Sequence, residues 1–196
     1  NSDKPLFNRA LRGQYPPGSA IKPMLGLVGL HYGAVSWKTE IVDRGFFQLS
    51  GNAHKYRDWK KWGHGRVDMD KAIVESCDTY FYEMSVRLGI DQMAEGMAHF
   101  GFGRRQGSDI PGNVAGILPS REWKKNVRGE PWYLGETVIA GIGQGYWVTT
   151  PLQLATATAA IARRGNFIEP RYAKLDEKAD RGQPIPLLGA IDWEQM

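Results

Sequence analysis

Pro23, closing the run Tyr15-Pro-Pro-Gly-Ser-Ala-Ile-Lys-Pro23, decides where the first long helix of this chain can begin. Proline has no N–H and clashes with a preceding helical turn, so it is tolerated only where the backbone N–H groups are unpaired anyway. Ser19 therefore sits in or just before the first turn. Positions i and i+3 share a helix face, which lets the Lys22 side chain approach the Ser19 oxygen. Gly18 permits the sharp entry, and the helix N-terminus favours the negative charge that develops when a serine attacks a carbonyl. Alone, this Ser-x-x-Lys pattern is better explained by an N-cap serine followed by a solvated lysine. Context reverses that reading, because a second group, Ser76-Cys-Asp78, lies between the amphipathic segment Asp70–Glu75 and the aromatic run Tyr80-Phe-Tyr82.

The chain is 196 residues long, enough for one domain with a sizeable core, and its composition is that of a globular protein. Its net charge is only +4, with basic pairs scattered at 60–61, 104–105, 124–125 and 163–164. These read as solvated faces and not as a nucleic-acid footprint, although a mildly basic surface suits an anionic polymer or a membrane-proximal position. A single cysteine excludes an internal disulfide. No apolar run is long enough to span a bilayer, and Asn1-Ser-Asp-Lys4 is not a signal peptide, so any anchor or export signal is expected outside these residues.

Along the chain, residues 1–18 read as an irregular lead-in, and 20–33 as a buried helix, apolar all round, ending at Gly33. Residues 37–67, with Trp37, Trp59, Trp62, His54, His64 and four glycines, read as short strands and an ordered loop. Helices are expected from Asp68 or Asp70 to about 76, from 79 to Gly89, and from Asp91 to about His99. Turn signals fill 107–135, with a short helix at 120–125. Thr150 as N-cap and Pro151 at the first helical position start a helix running to about 164. A proline-punctuated tail follows from 170.

Ser-x-x-Lys followed by a second Ser-x-Asn-type group and a Lys-Thr-Gly is the signature of penicillin-binding proteins and class A β-lactamases. With the first two groups in order and 57 residues apart, the chain resembles the transpeptidase domain of class B penicillin-binding proteins. Asn8-Arg-Ala, the loop Arg57-Asp-Trp-Lys-Lys-Trp-Gly-His-Gly65, and Gly141-Ile-Gly-Gln-Gly-Tyr-Trp147 followed by Thr150-Pro-Leu-Gln resemble the elongation-specific, penicillin-binding protein 2 type. Asp78 departs from the usual asparagine but suits this subgroup. No Lys-Thr-Gly or Lys-Ser-Gly occurs after residue 78. The resemblance implies an α/β (α+β) penicillin-binding transpeptidase and serine β-lactamase-like fold, of which residues 1–196 form part of one domain. This part is mainly helical, with the anchor, the pedestal and the third-motif strand outside it and full competence not expected of it alone.

The same resemblance implies a serine-type D-Ala-D-Ala transpeptidase. Ser19 attacks the penultimate D-alanine of a peptidoglycan stem peptide, expels the terminal D-alanine, and leaves an acyl-enzyme that a neighbouring stem's amine resolves. Lys22 must be neutral when it takes the serine proton, which desolvation favours and an ionised Asp78 opposes. Ser76 could pass that proton to the leaving amine. No cofactor is required for catalysis. The implied partners are stem peptides, β-lactams, a glycosyltransferase and other elongation-complex proteins, at the periplasmic face of a bacterial inner membrane. The rivals are a β-lactamase or DD-carboxypeptidase, and a non-catalytic module that binds peptidoglycan or a cell-wall partner. Gly141–Gly145 reads as a tight turn packing Tyr146 and Trp147 beneath the cleft, since no Walker lysine follows it.

Cys77 lies between two site residues, so its side chain should point away from the cleft, as a small buried hydrophobe or as a ligand. His64 is flanked by glycines thirteen residues earlier, and cysteine, histidine and carboxylates form a set that zinc accepts. With Asp68 and Asp70 used as helix caps and Asp78 in the cleft, Asp43 and Asp58 remain. The expectation is a structural zinc held by Asp43, Asp58, His64 and Cys77, with His54 as the substitute histidine.

Overall fold

The computed structural model describes residues 6–107, 109–174, 182–189 and 191–195. Its central element is α2 (Lys22–His31), entered through a 3-10 turn at Gly18–Ile21 and buried over Met24, Leu25, Gly26, Leu27, Val28 and Gly29. A helix apolar on all sides must be surrounded. It packs against α3 (Met69–Val74), α4 (Asp78–Leu88) and α5 (Ile90–Ala98), with α8 (Pro151–Ala162) also touching it. The approach of α5 is close: a Cβ at Gly96 would lie 2.5 Å from Val28 Cγ1.

Four three-residue strands precede α3. β1 (Ile41–Asp43) pairs antiparallel with β4 (Gly65–Val67), and the hairpin of β2 (Phe46–Gln48) and β3 (Lys55–Arg57) is nested between them in the chain. Phe47 and Tyr56 stack towards Tyr82 of α4, fixing the hairpin to the helical core. The nesting has a structural consequence. Asp43 ends β1 opposite Gly65, Asp58 follows β3, and His64 precedes β4, so three residues distant in sequence meet at the junction of two hairpins.

The expected helix starts at Asp68 and Thr150 are present. Asp68 accepts from the Lys71 N–H, and Thr150 and Gln153 form a reciprocal capping box. Two helices were not anticipated. α1 (Arg9–Arg12) is a single turn capped by Asn8 inside the expected irregular lead-in. The other, α7 (Leu134–Ala140), follows α6 (Arg121–Arg128) and has Tyr133, not a small polar residue, at its N-cap. The short strands β5 (Asn166–Phe167) and β6 (Gln183–Pro184) pair antiparallel, 3-10 turns follow at Pro186–Leu188 and Trp193–Gln195, and the expected tail falls partly outside the described residues.

Glu136 of α7 anchors α6 to α7. Its carboxylate accepts from buried Lys124 at 2.5 Å, from the Tyr133 N–H at 2.8 Å and from the Tyr146 hydroxyl at 3.1 Å. Burial alone would raise the Glu136 carboxyl, but these hydrogen bonds outweigh it and hold it below the ordinary glutamate value. A carboxyl depressed in the folded state contributes stability above its unfolded value, and that contribution is lost as pH falls below about 4. Glu136→Gln is therefore expected to lower the melting temperature at pH 7, on the order of 5 °C, with the gap to the parent narrowing in melts taken below pH 4. A gap that is constant with pH would contradict the ionised pairing.

Candidate active site

Ser19 sits in the 3-10 turn immediately before α2, is exposed, and makes no side-chain cap of the helix. Its turn is held from outside the helix. The Gly18 N–H donates to Gly143 O at 2.9 Å, and a Cβ on Gly143, whose φ is +69°, would meet Gly18 O at 2.3 Å. Only glycine fits there, so the 141–145 loop braces the residue that precedes Ser19. Trp147 is buried behind this loop, and its indole N–H donates to Ala140 O. Tyr15 and Thr149 form a further bridge beside it.

Lys22 follows one helical turn after Ser19 and is 2% exposed, which removes the solvated-lysine reading. Its three ammonium donors go to Ser76 O at 2.8 Å, Ser76 Oγ at 3.1 Å and Asp78 Oδ1 at 2.6 Å. The Phe81 ring lies 5.3 Å from Nζ and closes the apolar side. Ser76 adopts φ +52°, a left-handed conformation that a non-glycine residue takes only when its surroundings require it. Asp78, the first residue of α4, places its charge at that helix N-terminus. The structure thus brings Lys22, Ser76 and Asp78 into direct contact, with Ser19 exposed one turn away and outside the three partners of Lys22.

Cys77 turns the opposite way and is fully buried. Its thiol faces Asp58 Oδ2 at 3.4 Å and Asp43 Oδ2 at 3.7 Å, and His64 Nδ1 lies 2.7 Å from Asp43 Oδ2 and 3.5 Å from Asp58 Oδ1. One ligand atom from each of Asp43, Asp58, His64 and Cys77 falls within 4.8 Å of the others, so this buried cluster could hold a metal ion. The expected substitute, His54, is exposed and packs on Tyr56, and it does not join the cluster.

The residues fit a divalent ion on two grounds. Two carboxylates with no exposed side-chain surface lie side by side without a lysine or arginine between them, an arrangement that a dication neutralises. Spacings of 3.4–3.7 Å around the thiol and 3.5 Å from His64 Nδ1 to Asp58 Oδ1 match the roughly 3.3–3.7 Å between ligands of a tetrahedral zinc, while the 2.7 Å from His64 Nδ1 to Asp43 Oδ2 is a hydrogen-bond length. Burial, reinforced by the charges of Asp58 and Asp43, pushes the Cys77 thiol well above its ordinary value, so metal binding there must displace the thiol proton.

Comparison with known proteins agrees with this geometry. Residues 1–188 match the penicillin binding protein transpeptidase domain family. The chain is 54% identical over 192 residues, 98% of its length, to the peptidoglycan D,D-transpeptidase MrdA of Acinetobacter baumannii. It is 41% identical over 93% of its length to the MrdA of Escherichia coli K12. In both cases it spans 28% of the relative's own length. Among solved structures it is similar to Pseudomonas aeruginosa PBP2 in complex with WCK 5153, with a TM-score of 0.87, 44% identity, and coverage of 95% of this chain and 43% of that one. It is also similar to Helicobacter pylori PBP2 in complex with MreC, with a TM-score of 0.82, 37% identity, and coverage of 92% and 32%. The mixed α/β, mostly helical architecture and the match over nearly its whole length place this chain in the penicillin-binding protein transpeptidase domain family.

Proposed function

We propose that this chain carries the acylation site of an elongation-type peptidoglycan D,D-transpeptidase that cross-links stem peptides and is acylated by β-lactams. The observation that carries the reading is the triple hydrogen bond of buried Lys22 to Ser76 and Asp78, one turn from exposed Ser19. Ser19 is the nucleophile. With all three ammonium donors engaged, Lys22 becomes a base by releasing a proton along its 2.6 Å contact with Asp78, and its nitrogen then takes the Ser19 proton. Ser76 Oγ, 3.1 Å from the same nitrogen, returns that proton to the leaving D-alanine amine. The acyl-enzyme is resolved by the amine of a second stem.

A structural zinc on Asp43, Asp58, His64 and Cys77 would join both hairpins to the Ser76–Asp78 turn. It would supply charge neutralisation and cross-linking, not chemistry on substrate. The Helicobacter relative's complex with MreC and the similarity to a peptidoglycan synthase complex that coordinates polymerisation and cross-linking support assembly with an MreC-type partner and a glycosyltransferase. No helix among the described residues is long and apolar enough to cross a membrane, and the proposed periplasmic, inner-membrane setting rests on the similarity to MrdA.

A fluorescent penicillin tests the function in the full-length protein. A stable covalent adduct is expected. Rapid release of the label would instead favour a β-lactamase or carboxypeptidase, and no adduct would favour a non-catalytic binding module.

A further inference from the structure

The loop between β3 and β4 carries two indoles that the fold leaves uncovered: Trp59 is 65% exposed and Trp62 is 83% exposed. The loop is nevertheless rigidly built. The Asp58 N–H donates to Gly45 O at 2.9 Å, Asp58 Oδ1 accepts from the Lys60 N–H at 3.0 Å, and the Gly63 N–H donates to Lys60 O at 2.8 Å. Trp59 Nε1–H donates to Glu75 O at 3.1 Å, and its ring meets His64 edge-on at 5.4 Å. Large apolar side chains left in water on a loop whose backbone is held by hydrogen bonds mark an interaction site, because the backbone ordering that binding would require is already done.

Position and charge identify the occupant. Glu75 directly precedes Ser76, so the loop is attached by a hydrogen bond to the edge of the acylation site. Residues 54–66 contain five cations, Lys55, Arg57, Lys60, Lys61 and Arg66, and one acid, Asp58, which is buried. Lys61 Nζ lies over the Trp62 ring at 5.0 Å, and Lys60 pairs loosely with Glu75 at 3.6 Å. A surface of flat apolar faces interleaved with ammonium groups complements a polymer whose sugar rings offer C–H faces and whose side chains carry carboxylates. We propose that Trp59, Lys60, Lys61 and Trp62 form a docking strip for the sugar backbone and stem carboxylates of a peptidoglycan strand, holding it beside Ser76, a role that rests on the transpeptidase reading above. Tryptophan and lysine also suit an anionic membrane surface. The hydrogen bond from Trp59 to Glu75 O, the residue before Ser76, favours the strand.

Soluble, un-cross-linked peptidoglycan strands titrated into the full-length protein read the strip directly, through tryptophan fluorescence and a labelled-strand binding assay. Trp62→Ala and Lys61→Glu are expected to weaken strand binding about tenfold each, a loss typical of interface anchors. Trp62→Phe should recover most of the loss. Both positions are exposed, so folding is not at issue, and the acylation rate with penicillin should fall far less than strand affinity. Strand binding by Trp62→Ala and Lys61→Glu at parental affinity overturns the strip. So does Trp62-dependent binding to phosphatidylglycerol–phosphatidylethanolamine vesicles without binding to strands. A parent that fails to react with penicillin removes the transpeptidase reading, and the strand titration still reports separately on the loop.

Discussion

Replacing Lys22 with methionine is expected to slow acylation by a fluorescent penicillin about a thousandfold, within the range by which a positioned general base accelerates proton transfer. Methionine keeps the unbranched, apolar stem that α2 buries, so the loss is of the nitrogen and not of packing. Removing it does two things at once. Ser19 loses its proton acceptor, and Ser76 Oγ and Asp78 lose the donor that orients them at 3.1 and 2.6 Å. Lys22→Arg should fare little better. Its charge is retained, but a guanidinium does not deprotonate in a protein and cannot serve as the base. Ser19→Ala, which removes the proposed nucleophile, sets the floor at no covalent label. Asp78 keeps 15% of its side-chain surface exposed, so water can replace the lost partner and the variant should still melt cooperatively. Stopped-flow labelling with a thermal melt on the same sample separates rate from folding. A Lys22→Met protein acylated within tenfold of the parent would end the assignment of Lys22 as base.

The parts of this site legible in the sequence were those fixed by local rules. Pro23 located the helix start, and an all-apolar α2 made the burial of Lys22 foreseeable. That Ser76 and Cys77 face opposite ways was also readable from their adjacency, but the left-handed backbone of Ser76 that produces it was not. The cluster of Asp43, Asp58, His64 and Cys77 was found by ligand chemistry and by assigning the other acids elsewhere. Its physical cause, the nesting of one hairpin within another, was invisible because strands of three residues are too short for alternation to register. The Lys124–Glu136–Tyr146 anchor was missed altogether. Pro131 and Trp132 before α7 read as loop, and the usual Ser, Thr, Asp or Asn start signal is missing there, where Glu136 bonds back to Tyr133 instead. A glutamate three residues after a potential cap was the one available signal.

Losing the zinc proposed on Asp43, Asp58, His64 and Cys77 is expected to destabilise the fold strongly. Without a dication, Asp43 and Asp58 are two buried carboxylates within one small cluster, held by His64 and backbone N–H donors beside a thiol whose burial opposes ionisation. Leaving a buried charge uncompensated costs about 3–5 kcal/mol, which in a chain of this size corresponds to a fall in melting temperature of about 10 °C. Chelation of the full-length protein, or His64→Ala, should both produce it, and His64→Ala should reduce bound zinc from one per chain to none by native mass spectrometry. Acylation should slow as well, since Cys77 joins Ser76 to Asp78 and a loosened cluster no longer fixes their approach to Lys22. The electrostatic cause has its own check. If repulsion between the carboxylates makes the metal necessary, adding Asp43→Asn and Asp58→Asn to His64→Ala should recover part of the lost stability while zinc remains absent. Loss of further stability in that triple variant would place the effect in hydrogen bonding, where Asp43 holds the Gly45 and His64 N–H groups and Asp58 holds that of Thr79. Protein purified without zinc that melts and acylates like the parent would remove the metal from this fold.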